Sequence, residues 1–416
     1  MKVVLYSTYF LPVFGGVQTN VFELARGLSE WQHDAPGSRI DVTVVTRTAD
    51  TTPQDASWPF RVVRRPSPLR LLRLLRNADV IHVAGPAMLP MVIGLILRKS
   101  LVITHHVYQS VCPNGLLIYG PDRSVCPGHF MEGRYKKCLQ CNSGEIGWFG
   151  SLRSLILQFP RRWLCKLTTV NVAITNHVAR RIALPNTQTV LYGIRDPGWA
   201  PPVQNGHGVE IGYVGRLVPE KGVPILLNAA KRLHDDGLTF HLTIIGDGPL
   251  RRNLENEVRR SDLAGCVSFV GGFSGPDLER VVRPLQIVVM PSVWEETAGL
   301  SAIEQMMRGQ VVVASDIGGL SEVVGDCGVK VAPGDPDALY VSLRQLLESP
   351  SLFASFGQAA RARATSVFNL PAMIDKHVAL YKTIVTSRAT NGRHNRKQTL
   401  PGDMRPDEYT RKGINS

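Results

Sequence analysis

Glu296 and Glu304 stand either side of Ala298-Gly299-Leu300, where the apolar run IVVMPS ends and a helical pattern, LSAIEQMMRG, begins. Carboxylates accept strong charge-assisted hydrogen bonds from neutral hydroxyls. The residues between them, at a helix start, offer backbone N–H groups and the positive end of a helix dipole to an anion. Upstream, Arg216 and Lys221 flank a turn that follows the strand-like IGYVG, which ends at Gly215, and opens another helix. Gly246 and Gly248 bracket Asp247 at the end of LTIIG, where glycine lets a backbone come close to a ligand. Two acids, two cations and glycine turns are together what a sugar joined to a nucleoside diphosphate needs. The acids suit sugar and ribose hydroxyls; the cations and amides suit the diphosphate. A charged helix start explains the glutamates alone, but not the whole run.

Positioning these groups takes strands that end at ligands. Short β-branched runs alternate with helical patterns along the chain: VVLYST, IDVTVVT, VIHVA, SLVITHH and VNVAIT, then VEIGYVG, FHLTIIG, VSFVGG, IVVMPS and VVVAS. Buried runs alternating with amphipathic helices imply parallel sheets in βαβ units, with ligands at the strand C-termini. The expected fold is α/β, two Rossmann-like domains with a cleft between them. The first spans 1–195, with a Cys-rich loop at 107–144; a Pro/Gly-rich linker, 196–208, leads to the second, 209–370. A helix at 371–387 is expected to pack back across the linker, and the basic tail 388–416 to lack fixed structure.

The run IVVMPSVWEETAGLSAIEQMMRGQVVVASDIGGLSEVVGDCGVKVAPGD resembles the signature block of glycosyltransferase family 4, the retaining sugar-nucleotide transferases of GT-B fold. GYVGRLVPEKG and LTIIGDGPL resemble the family's two preceding blocks, and YFLPVFGGVQTNVFELARGL its first βα loop. The likeness covers about residues 1–385. It implies that Arg216 and Lys221 bind the donor diphosphate, Glu296 the donor sugar and Glu304 the ribose. Gly15 and Gly16 would then let the first loop approach donor or acceptor. His106, closing the strand SLVITHH, matches a family histidine that reaches the donor sugar; two histidines simply ending a strand is the plainer reading. Two departures stand out: Thr297-Ala298 replaces the usual Pro-Phe or Gly-Phe, and Val107 replaces an Asp. With no protein nucleophile in sight, the implied mechanism is attack on the face from which the diphosphate leaves. It needs no Mg²⁺ and no catalytic cofactor.

Cys112, Cys126, Cys138 and Cys141 form C-x13-C-x11-C-x2-C. They could close a structural zinc site, hold an iron–sulfur cluster or remain free thiols; a subgroup of the family has similar cysteines. Cys165, Cys266 and Cys327 read as buried residues. The formal charge is +13. Six arginines and no acid lie between Phe60 and Arg76, and from Pro68 the segment is an amphipathic helix. Such a helix suits an anionic membrane surface or packs its leucines on the core. The apolar LILQFPRRWL, from Leu155, adds to the expectation of a lipid-linked or membrane-surface acceptor. MLPMVIGLILRK is too short to span a bilayer and reads as a buried helix. Neither export signal nor nucleic-acid-binding pattern is evident. The expectation is a cytoplasmic transferase of a hexose-type unit from a nucleotide-diphosphate sugar to a glycan or lipid-linked acceptor, in envelope, glycolipid or exopolysaccharide synthesis. A non-catalytic nucleotide-binding scaffold and a sugar-nucleotide epimerase are the alternatives.

Overall fold

The computed structural model describes residues 1–13, 15–31, 39–51, 53–198 and 208–397, with backbone only for 53, 54, 350 and 389–397. In the first domain the strands are β1 (Lys2–Ser7), β2 (Asp41–Thr46), β3 (Arg61–Arg64), β4 (Val80–Ala84), β5 (Ser100–His105), the hairpin β6 (Ile118–Tyr119) and β7 (Ser124–Val125), β8 (Val170–Ala173) and β9 (Thr187–Thr189). All but the hairpin form one parallel sheet, ordered β3-β2-β1-β4-β5-β8-β9. The second domain adds β10 (Val209–Val214), β11 (Phe240–Ile245), β12 (Val267–Gly271), β13 (Ile287–Met290), β14 (Val311–Ser315) and β15 (Val329–Val331). These too are parallel, ordered β12-β11-β10-β13-β14-β15. Each sheet reverses its winding once, between β1 and β4 and between β10 and β13. In open α/β sheets ligands bind at such reversals, outside the strand C-termini.

The helices of the first domain are α1 (Gly16–Glu30), α2 (Pro68–Asn77), α3 (Met88–Ile96), α4 (Tyr135–Lys166) and α5 (Asn176–Ile182). Those of the second are α6 (Val223–Asp235), α7 (Arg251–Arg260), α8 (Gly275–Val282), α9 (Leu300–Met307), α10 (Gly318–Val324), α11 (Pro336–Glu348) and α12 (Pro350–Val367), followed by α13 (Leu370–Lys397). Among the described residues no helix is long and apolar enough to cross a membrane.

α13 belongs to the first domain's core. Met373, Ile374 and Tyr381 are buried with Leu24 and Leu28 of α1. Lys382 sits 4.5 Å from the Trp31 ring, and Trp31 Nε1 donates to Asp375 at 3.0 Å. The chain thus returns to its starting domain. The helix continues to Lys397, so 388–397 are helical rather than part of an unstructured tail; 398–416 lie outside the described residues. So does most of the expected linker, 199–207.

Three further expectations change. β3 lies inside the arginine-rich segment, where Arg64 forms a bidentate pair with Asp55. On α2, Leu71 and Leu75 pack into the core but Leu69 and Leu72 are exposed, and α3 shows Leu89, Val92 and Ile96 to solvent instead of being buried all round. Cys165 is buried, whereas Cys266 and Cys327 are only half-buried.

Candidate functional site

Lys221 and Glu296 come from the loops after β10 and β13, the two strands at the winding reversal of the second sheet. A short 3-10 turn, Pro219–Lys221, follows β10. It is tied to the other loop where the Val293 N–H donates to the Glu220 carbonyl at 3.0 Å. Lys221 Nζ lies 2.9 Å from Glu296 Oε1, with both side chains mostly buried. Ser292 Oγ donates to the same carboxylate oxygen, and the Lys221 ammonium stands 6.0 Å from the Trp294 ring. The sequence presents these two groups as separate ligands. The folded chain makes them one ion pair, and an ion pair this buried needs its extra hydrogen bond.

The Glu296 loop is pressed from behind by α10. The Gly319 N–H donates to the Glu296 carbonyl at 2.6 Å, and a Cβ on Gly319 would lie 2.1 Å from the Thr297 carbonyl oxygen. No side chain larger than hydrogen fits there. Gly246 serves a similar close approach one layer away, where a Cβ would lie 1.8 Å from the Gly215 carbonyl oxygen. Gly215, Gly246 and Gly248 thereby lock the loops after β10 and β11 together.

Gly299 caps α9 in a left-handed conformation, with Ala298 buried just before it and Leu300 opening the helix. A Cβ on Gly16, at the start of α1, would sit 3.5 Å from Leu300 Cδ2. Gly16 therefore faces α9 across the cleft, while Gly15, the α1 cap, lies against Gln18 of its own helix. One turn into α9, burial holds the Glu304 carboxyl above the ordinary range, countered by Arg308 and reinforced by Glu279. Arg308 is taken up by Glu279, Nε to Oε2 being 3.1 Å. No described residue hydrogen-bonds the Glu304 carboxylate. Arg216 is 69% exposed and reaches Glu220 only at 3.8 Å, so it points a cation into solvent while Lys221 is engaged.

His106 is buried, with Nδ1 2.8 Å from the Tyr192 hydroxyl and the two rings stacked. Burial, with His105 and His377 adding to it, pushes its pKa down to about 3. The imidazole is neutral near pH 7. His105 is held by Asn171 at 3.0 Å instead. Of the two histidines, His106 alone adjoins the second domain: Thr297 Oγ1 donates to its carbonyl at 2.9 Å. Thr175 Oγ1 in turn donates to the Thr297 carbonyl at 2.8 Å. The departure at Thr297 is thus a polar rivet between the domains. Glu322 adds a second, accepting from the N–H groups of Asn176 and His177 at the start of α5, and Glu295 pairs with Arg181 at 2.8 Å. Ser292, Gly319 and Glu322 are site residues that sequence reasoning missed, and Thr297 was read as a departure without its bridging contacts. A Gly-Gly pair opening the helix after the signature loop was the one available signal.

Cys112, Cys126, Cys138 and Cys141 line one cavity of about 10 Å3, beside His129 and Asn114. Room on that scale is enough for about one atom-sized guest. Among the described residues, however, no three His, Cys, Asp or Glu side chains stand as metal ligands must. Cys112 Sγ donates to Asn114 Oδ1 at 2.8 Å, and Cys141 Sγ accepts from the Gly120 N–H at 3.2 Å. Burial and the neighbouring thiols push Cys138 up to about 12. The four thiols converge on one small space, and burial raises the pKa of Cys112, Cys138 and Cys141 there.

Two parallel Rossmann-like sheets facing each other across paired strand-end loops define a GT-B protein. Residues 208–349 match the family model described as glycosyl transferases group 1. Over 146 residues the chain is 35% identical to the 2-deoxystreptamine glucosyltransferase of Streptomyces kanamyceticus, covering 35% of this chain and 38% of that one. Over 380 residues it is 25% identical to the D-rhamnosyltransferase WbpZ of Pseudomonas aeruginosa, 87% of this chain and 91% of that one. The alignment with the first of these thus spans well under half of that relative's length. Among solved structures, Anabaena HepE in complex with UDP superposes with a TM-score of 0.70 at 17% identity, covering 92% of this chain and 100% of that one. Sucrose-phosphate synthase from Thermosynechococcus elongatus gives 0.69 at 21% identity, covering 93% and 99%.

Proposed function

We propose that the chain is a retaining glycosyltransferase that moves a hexose-type unit from a nucleotide-diphosphate sugar to a glycan or lipid-linked acceptor. The observation that carries this reading is the buried Lys221–Glu296 pair at the second sheet's winding reversal, in the loop that leads into α9, where Glu304 lies one turn in. The names of the relatives, all sugar transfer, and the UDP in the HepE structure support it. Lys221 and the solvent-directed Arg216 meet the donor diphosphate, with the amides of Ala298, Gly299 and Leu300. Glu296, fixed by Lys221 and Ser292, takes sugar hydroxyls, and Glu304 takes the ribose diol. His106, neutral, serves as a hydrogen-bonding group for the sugar.

In the proposed step the acceptor hydroxyl approaches the face from which the diphosphate departs. The anomeric C–O bond to the diphosphate breaks, a C–O bond to the acceptor forms, and the hydroxyl proton passes to a leaving diphosphate oxygen. The protein's share is positioning and stabilisation of the growing diphosphate charge. No residue of the scheme requires Mg²⁺. The four cysteines, as thiolates, would hold zinc as a staple between the loop that carries Cys112 and Cys126 and the first turns of α4, which carry Cys138 and Cys141; under a tenth of an equivalent of metal in chelator-free protein would remove that part. The setting we propose is envelope, glycolipid or exopolysaccharide synthesis on the cytoplasmic side of a membrane.

The test is a thermal-shift panel of UDP, GDP, ADP and their glucose and mannose esters, because a ligand that binds the native state raises its apparent stability by mass action. One nucleotide is expected to raise Tm, and Glu304→Ala to weaken its Kd about tenfold or more. Equal nucleotide affinity in wild type and E304A would instead favour a scaffold that does not use this site.

A further inference from the structure

At the C-terminal ends of β1, β2 and β4, on the first sheet's own winding reversal, lies a cavity of about 740 Å3. Arg47, Arg65 and Arg161 line it, and among the described residues no Asp or Glu does. Their described contacts are neutral: Arg65 Nε donates to the Arg47 carbonyl at 3.1 Å, and Arg161 to Gln158 Oε1 at 2.8 Å. Burial pushes the Arg161 guanidinium down from its usual range, and no carboxylate offsets it. The start of α3 also faces this space, with Ala87 at its cap and no side chain satisfying its first amides. Three cations and an uncapped helix start, without an acid, is the complement of a phosphate group.

The rest of the wall is apolar. Leu71, Met88 and Leu89 line the cavity, and Leu89 leads out of it onto the exposed Val92 and Ile96 of α3, the last 75% exposed. α4 packs beside α3 and continues the face with Ile156, Phe159 and Trp163. Arg70 and Arg73 on α2, which also packs against α3, and Arg153 on α4 are exposed. The second domain, by contrast, exposes only Phe273 and Val341 among its described large hydrophobic residues. An apolar face this concentrated marks an interaction site, and its basic surround suits anionic lipid.

We propose that the cavity is the acceptor subsite, and that the acceptor is an amphiphile: a phosphate or diphosphate ester on an apolar chain. Arg47, Arg65 and Arg161 hold the anionic group, and the chain runs over Leu89 onto α3 and α4. A hydroxyl of the acceptor then lies on the His106 side, since Gln109, three residues after His106, closes the cavity against Gly85. The assignment rests on the glycosyl-transfer reading above.

The experiment titrates farnesyl diphosphate, farnesol and inorganic diphosphate, with and without whichever of UDP, GDP and ADP binds best. Farnesyl diphosphate is expected to bind at least tenfold tighter than either fragment, with the nucleotide present, and to lose about tenfold in each of Arg47→Gln and Arg65→Gln. Both residues are at the surface, so Tm and nucleotide affinity should be kept and serve as the folding control. Inorganic diphosphate binding as tightly as the ester would overturn the tail, and farnesol binding as tightly would overturn the arginine site. Failure of the ester to bind, or binding that ignores both substitutions, would sink the subsite while nucleotide binding left the donor reading intact. Failure of every nucleotide would strike the donor reading instead.

Discussion

Lys221 and Glu296 show what a residue can and cannot announce by itself. Each was legible as a candidate, because a cation and an acid at strand ends suit a diphosphate sugar. That they touch was not legible, since 74 positions separate them (296 − 221 = 75 in numbering) and only the adjacency of β10 and β13 brings their loops together. The pairing has an energetic consequence. Lys221→Met would leave Glu296 buried without its counter-charge, a change that costs about 3 kcal/mol in comparable sites. Denaturant unfolding should show a loss of that size together with loss of nucleotide binding. A variant as stable as wild type would mean that water reaches Glu296 freely and that the pair is incidental. Arg216, exposed and loosely held, should cost little stability when replaced.

Elements were read unevenly, for physical reasons. Strands made of β-branched runs, such as β4 and β14, were evident from composition alone. β3 was hidden because Arg61, Arg64 and Arg65 disguise a strand as a charged surface segment; the partner that explains Arg64, Asp55, is a tertiary contact. α13 was expected as a helix, but not its role in binding β4 and β5 from below. There His82 Nδ1 lies 2.5 Å from the Tyr381 hydroxyl and its ring stacks on His377 at 5.7 Å. Burial holds the pKa of His82 well below the usual histidine range, and it takes His105 and His377 down to about 4 and His106 to about 3. These histidines are neutral when folded but bind protons near pH 6.5 when unfolded. The unfolded state therefore takes up more protons, and stability falls as pH drops from about 6.5 towards 4. Each histidine contributes about 1.4 kcal/mol per pH unit across that window. Tm should drop steeply between pH 7 and pH 5, and His377→Gln should flatten the slope. A Tm that holds level over that range would show that this layer is hydrated and that the histidines are not buried neutral.

For the molecule as a whole, the decisive feature is how the domains meet. A buried apolar cluster runs through both of them, from Val4 to Phe368, and polar rivets at Thr297, Glu295 and Glu322 fix the facing loops. Glu322 accepts from Asn176 Nδ2 and from two backbone N–H groups at the start of α5. Hydrogen bonds to a charged acceptor are each worth about 1.5–3 kcal/mol. Glu322→Ala is thus expected to lower stability by about 2 kcal/mol and to reduce kcat/KM more than it changes the nucleotide Kd, since the proposed donor groups sit in one domain and the proposed acceptor cavity in the other. A donor Kd that worsens as much as kcat/KM would place Glu322 in donor binding rather than in domain docking.

The sequence by itself determined the alternation of strand and helix, and with it two parallel sheets whose loops carry acids, cations and glycines. Those are local properties, written in side-chain branching, charge and backbone freedom. Tertiary structure decided which of these groups meet: the Lys221–Glu296 pair, the Thr297 bridge, the convergence of four thiols and the three arginines around one cavity. Each arises between loops far apart in the chain, and their distance is set by sheet order and domain docking, which no local pattern encodes.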